Sequence, residues 1–202
     1  MSKDSYHHGD LAKALTAAAL AVVEQGGPEA VSLRDLAASL GVSRAAPYRH
    51  FADRDELLAA VAALGFEDLN IVYEQALASP GDGRQRLYAL NRGYFDFATR
   101  RPGLHRLMFN YGLLTRDDPP RVLIEPANRA YTLLVQAVEE ANPGLDAKGV
   151  KARVVTMWST VYGFLSLNTA GRFQPFMIAP LTHDEIVEAV MLAATQPPPP
   201  AA

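Results

Sequence analysis

The stretch Val31-Ser-Leu-Arg-Asp-Leu-Ala-Ala-Ser-Leu-Gly-Val-Ser-Arg-Ala-Ala-Pro-Tyr-Arg-His-Phe51 reads as two short helices joined by a tight turn. Ser32 is placed to cap the first helix, and Asp35 stands three residues on, where a capping box reaches back. Leu33, Leu36, Ala37 and Leu40 recur at helical spacing and make one apolar face. Gly41 supplies the left-handed residue that ends a helix at little cost. Val42 re-enters the core and Ser43 caps the second helix, which stops near Phe51. So short a helix needs the first for support. Pro47 lacks the N–H of the first internal hydrogen bond, so a local distortion is expected there.

The second helix is built to be presented. Arg44 can donate two parallel bonds to guanine O6 and N7, and Ala45 and Ala46 permit close approach or touch a thymine methyl. Tyr48, Arg49, His50 and Arg54 offer donors suited to phosphate oxygens, which fix register without reading sequence. Ser32, Ser43 and Arg34 complete the expected DNA-binding set. A helix, a glycine-containing turn and a second helix form the unit that enters the major groove. The competing reading is a helical hairpin retained for packing, with arginines as solvated decoration.

Working outward, the pattern from Ser32 through Leu36-Ala37, Leu40-Gly41-Val42-Ser43 and Tyr48-Arg49-His50-Phe51 to Arg54 and Leu57-Leu58 resembles the DNA-binding head of TetR-type transcriptional regulators. The opening Tyr6-His7-His8-Gly9-Asp10-Leu11 and the Ala45-Ala46-Pro47-Tyr48 form resemble a subgroup whose C-terminal domain carries Trp-x-x-x-His-Gly. Here that stretch is Trp158-Ser-Thr-Val-Tyr162-Gly163, with tyrosine in place of histidine. The resemblance implies an all-α protein: a three-helix helix-turn-helix domain over 1–55 and a helical effector-binding and dimerisation domain over 56–195. It also implies an operator of double-stranded DNA, near-palindromic and bound by a homodimer, and a small, largely apolar effector acting on a repressor.

Composition sets bounds. The chain has 202 residues, a formal charge of −3 and no cysteine. Disulfides, thiolate zinc sites and a cysteine nucleophile are excluded, which fits a reducing cytoplasm. No segment has the length and apolarity of a membrane span. The net charge argues against nucleic acid until its distribution is considered. Between residues 31 and 54 the charges are Arg34, Arg44, Arg49 and Arg54 against Asp35 and Asp53. A weakly basic head on an acidic body binds DNA if two heads act together, with shallow non-specific affinity.

The remaining pattern is helical. A first helix runs from about Asp10 to Gln25, stopped by Gly26-Gly27-Pro28. Asp53 caps a long helix to about Ala78, and Ser79-Pro80-Gly81-Asp82-Gly83 breaks the chain. Further helices are expected to about Arg101, around Leu104 to Phe109, from Asp117-Asp118-Pro119-Pro120 to near Asn142, and from Asp146 to about Ala170. Thr182 and Glu185 form a capping box for the last. The proline run over 196–202 has no means of packing.

Two sites are expected in the body. Val154, Val161, Leu165, Ile186, Val190 and Met191 give the last two long helices apolar faces for a partner subunit. Tyr94, Phe97, Met108, Tyr111, Trp158 and Tyr162 are candidates to line an effector pocket, with Asn91 and Asn128 as orienting groups. No cofactor or metal is expected, since His7 and His8 are adjacent and would diverge on a helix. There is no His-Glu-x-x-His pattern, no Gly-x-Ser-x-Gly elbow and no glycine-rich phosphate loop, so an enzyme is not expected.

Overall fold

The computed structural model describes residues 8–196, all of whose regular elements are helical. Tyr6, His7 and the proline tail after Gln196 lie outside them. The chain forms two compact units. The first takes the chain to Asp68 and adds Arg101–Asn128; the second takes Leu69–Arg100 and everything from Arg129. The expected boundary at 55/56 falls inside a helix, Arg54–Leu77, whose hydrogen bonding runs uninterrupted through it.

In the first unit, α1 (His8–Gly26) turns through Pro28–Ala30 into α2 (Leu33–Ser39). The helix α3 (Arg54–Leu77) begins after the turn over 43–51, and α5 (Pro102–Phe109) packs on α1. Leu11, Leu15, Ala19 and Val23 place one face of α1 in the core. At the α1–α5 contact, Gly103 comes so close that a Cβ there would overlap the Val23 carbonyl oxygen. Asp53 caps α3 through the Glu56 amide at 2.8 Å, and the Glu56 carboxylate returns to the Ala52 amide at 2.5 Å.

The second unit holds α4 (Gly83–Arg100), α6 (Arg121–Ala141, from Arg129 on), α7 (Ala147–Thr169), the short α8 (Pro175–Ile178), which buries no residue, and α9 (His183–Thr195); its core includes Leu87, Leu90, Met157, Val161 and Met191. Helix α9 packs on α4 and α7. Caps fix where these helices start. Asp146 accepts the Gly149 amide at 2.7 Å, and Thr182 and Glu185 form the expected capping box. Asp82 and Gln85 form a second reciprocal pair, at 2.9 and 2.8 Å, within the stretch read only as a turn. The end of α9 is held by Arg153 on α7. Its buried guanidinium donates to the Gln196 carbonyl at 2.6 Å and to that of Ala194. Its Nε is buried without a hydrogen-bond partner, and burial lowers its pKa.

Candidate nucleic-acid interface

The first helix of the expected pair forms as read. Ser32 Oγ accepts the Asp35 amide at 3.3 Å. The Asp35 carboxylate does not complete a capping box; it lies 3.4 Å from Arg34 Nε on an exposed surface. Gly41 adopts φ +68°, the left-handed conformation that ends the helix. The Val42 amide then returns to the Ala37 carbonyl at 3.0 Å.

The second helix does not form as a regular α-helix. Its amides bond mostly three residues back: Ala46 to Ser43 at 2.9 Å, Arg49 to Ala46 at 3.2 Å, His50 to Pro47 at 2.9 Å. The regular part is a 3-10 turn, Pro47–Arg49, and a single α-type bond, Phe51 to Pro47 at 3.0 Å, closes it. Proline explains this. With no N–H at 47, the Ser43 carbonyl has no donor four residues on and takes the Ala46 amide instead.

The tight turn keeps its two faces distinct. Pro47 and Phe51 are buried, while Ser43, Arg44, Ala45, Tyr48 and Arg49 face solvent, Tyr48 with 57% of its surface exposed. Ala46 and His50 are half-buried, and Arg34 is exposed on α2. A tyrosine more than half exposed, with Arg44 and Arg49 exposed on the same short turn, leaves hydroxyl, guanidinium and small side chains open to solvent within seven residues. Those are the groups that meet phosphates and base edges.

Arg54 stands apart from this set. Its guanidinium donates from Nε to the Val31 carbonyl at 2.8 Å, from Nη1 to the Tyr111 hydroxyl at 2.6 Å, and from Nη2 to the Pro28 carbonyl. It also lies 5.7 Å from the centre of the Tyr111 ring. The side chain read as a phosphate donor is therefore engaged within its own unit. No local spacing signals this, since Tyr111 is 57 positions away.

Matches to known families agree with this geometry. Residues 15–61 match the model for bacterial regulatory proteins of the tetR family, and residues 87–194 match the tetracyclin repressor-like C-terminal domain. The chain belongs to the TetR family. The HTH-type transcriptional activator FasR of Mycolicibacterium smegmatis is 31% identical over 143 residues, 71% of this chain and 64% of FasR. The nucleoid occlusion factor SlmA of Photobacterium profundum is 29% identical over 46% of this chain and 47% of its own. The matched stretch thus covers less than two thirds of either relative. A solved protein of unknown function from Rhodococcus sp. RHA1 superposes with a TM-score of 0.79 at 31% identity, covering 96% of this chain and 97% of that one.

The expected body sites are only partly gathered. Of the six pocket candidates, Met108 and Tyr111 belong to the first unit, where Met108 is core and Tyr111 holds Arg54. Tyr94, Phe97, Trp158 and Tyr162 belong to the second, with Tyr94 and Phe97 buried. The Tyr94 hydroxyl is hydrogen-bonded to Trp158, and burial raises its pKa. Trp158 meets Tyr162 edge to face at 6.1 Å. Asn91 donates to the Leu87 carbonyl at 2.8 Å and lies 3.2 Å from Met157 Sδ, which leaves it a packing role. Two open grooves of the second unit lie elsewhere, along α4 and α9. One of about 390 Å³ is lined by Tyr88, Leu192 and Gln196, and one of about 590 Å³ by Arg92, Glu185 and Glu188.

The expected dimer residues also divide. Val154, Val161, Leu165 and Met191 are buried inside the second unit, and Ile186 and Val190 are half-buried. The apolar side chains left on the outside of α7 and α9 are Val155, Trp158, Leu167 and Leu192. A helix turned by one residue presents a different face, and counting apolar residues alone did not resolve which face is which.

Proposed function

We propose that this chain is a DNA-binding transcriptional regulator that reads a near-palindromic operator as a homodimer and represses transcription until a small molecule binds its second unit. The observation that carries this reading is the turn from Ser43 to His50, whose buried Pro47 and exposed arginines and tyrosine leave a patch with no packing role. Arg44 and Ala45 are assigned to base edges. Tyr48 and Arg49 are assigned to phosphates, with Ser32, Ser43, Arg34, Ala46 and His50 at the margins. A patch this small binds one half-site weakly, so two copies are needed. The partner surface is assigned to the outer face of α7 and α9, around Val155, Trp158 and Leu192.

The effector site is placed in the second unit near Tyr94, Trp158 and Tyr162, where aromatic faces and two hydroxyls lie together. Helix α3 is a continuous rod whose start lies in the first unit and whose end lies in the second. An effector with different affinities for two arrangements of the second unit can shift DNA binding through it. A coupling of about 1–3 kcal/mol lowers operator affinity roughly five- to 150-fold. The relative FasR is named an activator, which favours a second reading of opposite sign at the same operator.

Selection from random duplexes at low and moderate salt tests the proposal. Enrichment of a near-palindrome supports it; no enrichment at any salt leaves the helix-turn-helix as a packing unit. A promoter reporter then decides repression or activation.

A further inference from the structure

We infer that Arg54 is a positioning residue for DNA recognition, set in place by Tyr111, and not a phosphate contact. This rests on the DNA-binding reading above.

Three acceptors from two separate parts of the first unit converge on one guanidinium. Val31 O and Pro28 O lie in the connection between α1 and α2, and Tyr111 Oη lies beyond the end of α5. Arg54 itself opens α3. The side chain therefore ties the entry of α2 to the base of α3, and the recognition turn is the chain between them. A planar fork suits this task because each N–H direction is fixed relative to the others. Two of the acceptors are carbonyls at the ends of the Pro28–Ala30 turn; the Pro28 carbonyl also accepts the Val31 amide at 3.2 Å, so Arg54 adds a second donor to the bond that closes that turn.

Tyr111 completes the arrangement from outside the helix-turn-helix. Its hydroxyl accepts from Nη1 and its ring lies beside the guanidinium. Next to it, Arg116 pairs with Asp55 at 2.6 Å, and Asp55 lies 3.9 Å from Arg54. The segment after α5 thus grips the first turn of α3 at two neighbouring residues. Loss of either grip frees the angle at which the recognition turn meets the groove, without removing any group from the DNA surface.

The experiment compares Arg54→Lys, Arg54→Ala and Tyr111→Phe with the parent. Affinity for the selected operator and for a random duplex is measured across salt, well below each melting temperature. If Arg54 positions the turn, Tyr111→Phe and Arg54→Lys lower operator affinity about three- to ten-fold. Random-duplex affinity and the salt slope stay near parent values, so the specificity ratio falls. Amide exchange around Val31 to Leu36 speeds up in the same variants. A phosphate contact gives the opposite pattern: Arg54→Lys binds like the parent, and Arg54→Ala weakens both duplexes and reduces the slope by about 0.9. General unfolding lowers both affinities equally. Either of these patterns, or an unchanged ratio in Tyr111→Phe, overturns the inference. A parent that selects no sequence refutes the DNA-binding reading itself.

Discussion

Arg44 stands exposed on the recognition turn, while Arg54 is held by three oxygens. One residue type is thus free at the surface in one place and braced inside the fold in another, a difference that spacing along the sequence does not encode. Arg44→Ala is expected to relax base preference at one position of each half-site, at a cost of about 1–3 kcal/mol. A binding-site selection on the variant reads this directly, and uniform weakening on all sequences would reassign Arg44 to phosphate. His105 offers a residue-scale test of stability. It is buried on α5 against the Phe109 ring at 4.9 Å, and burial lowers its pKa to about 4. The unfolded chain takes up this proton near pH 6.5, before the folded chain does. The stability is therefore present in full above about pH 6.5 and is lost as pH falls towards 4. Urea melts at pH 7 and 4.5 are expected to show the parent losing on the order of 2–3 kcal/mol more than His105→Gln.

At the scale of elements, close approach matters more than propensity. Gly103 lets α5 lie directly on the Val23 carbonyl of α1, and backbone on both sides leaves nothing flexible to give way. Gly103→Ala is expected to destabilise the first unit by about 2–3 kcal/mol, read as a shifted urea midpoint. By contrast, Gly65→Ala would meet Met108 Sδ at 2.6 Å, the far end of a side chain that can move, and is expected to cost less. Element boundaries were largely legible beforehand because they are written in local chemistry. Asp53, Asp146 and Thr182 cap helices where read, and Gly41 takes the left-handed conformation. The recognition helix was half legible: Pro47 announced a distortion, but not that i to i+3 bonding would prevail over most of the turn. The four-residue α8 was missed, since so short a helix has no periodicity to read. The Arg54 partners and the true outer face of α7 were hidden for another reason. Both depend on pairings between distant segments, which spacing along one helix does not encode.

At the scale of the whole molecule, the proposed regulator depends on two copies acting together. The outer apolar residues of α7 and α9, and not the buried Val154, Val161, Leu165 and Met191, are then the ones to alter. Val155→Glu with Leu192→Glu is expected to give a folded monomer by sedimentation, with helix content retained and palindrome selectivity lost. A folded dimer would move the partner surface elsewhere. Val161→Glu is expected instead to unfold the second unit, because an unpaired charge would sit in its core. Where the chain can be trimmed follows from the Arg153 clamp. A polypeptide ended at Gln196 retains both carbonyl oxygens, and its new terminal carboxylate would stand beside a cation. Cut back to Ala193, the same polypeptide leaves the Arg153 guanidinium of α7 without these two acceptors, and the end of α9 is expected to come loose. Protease fragments surviving to Gln196 but not to Ala193 would mark Gln196 as the last residue the second unit needs.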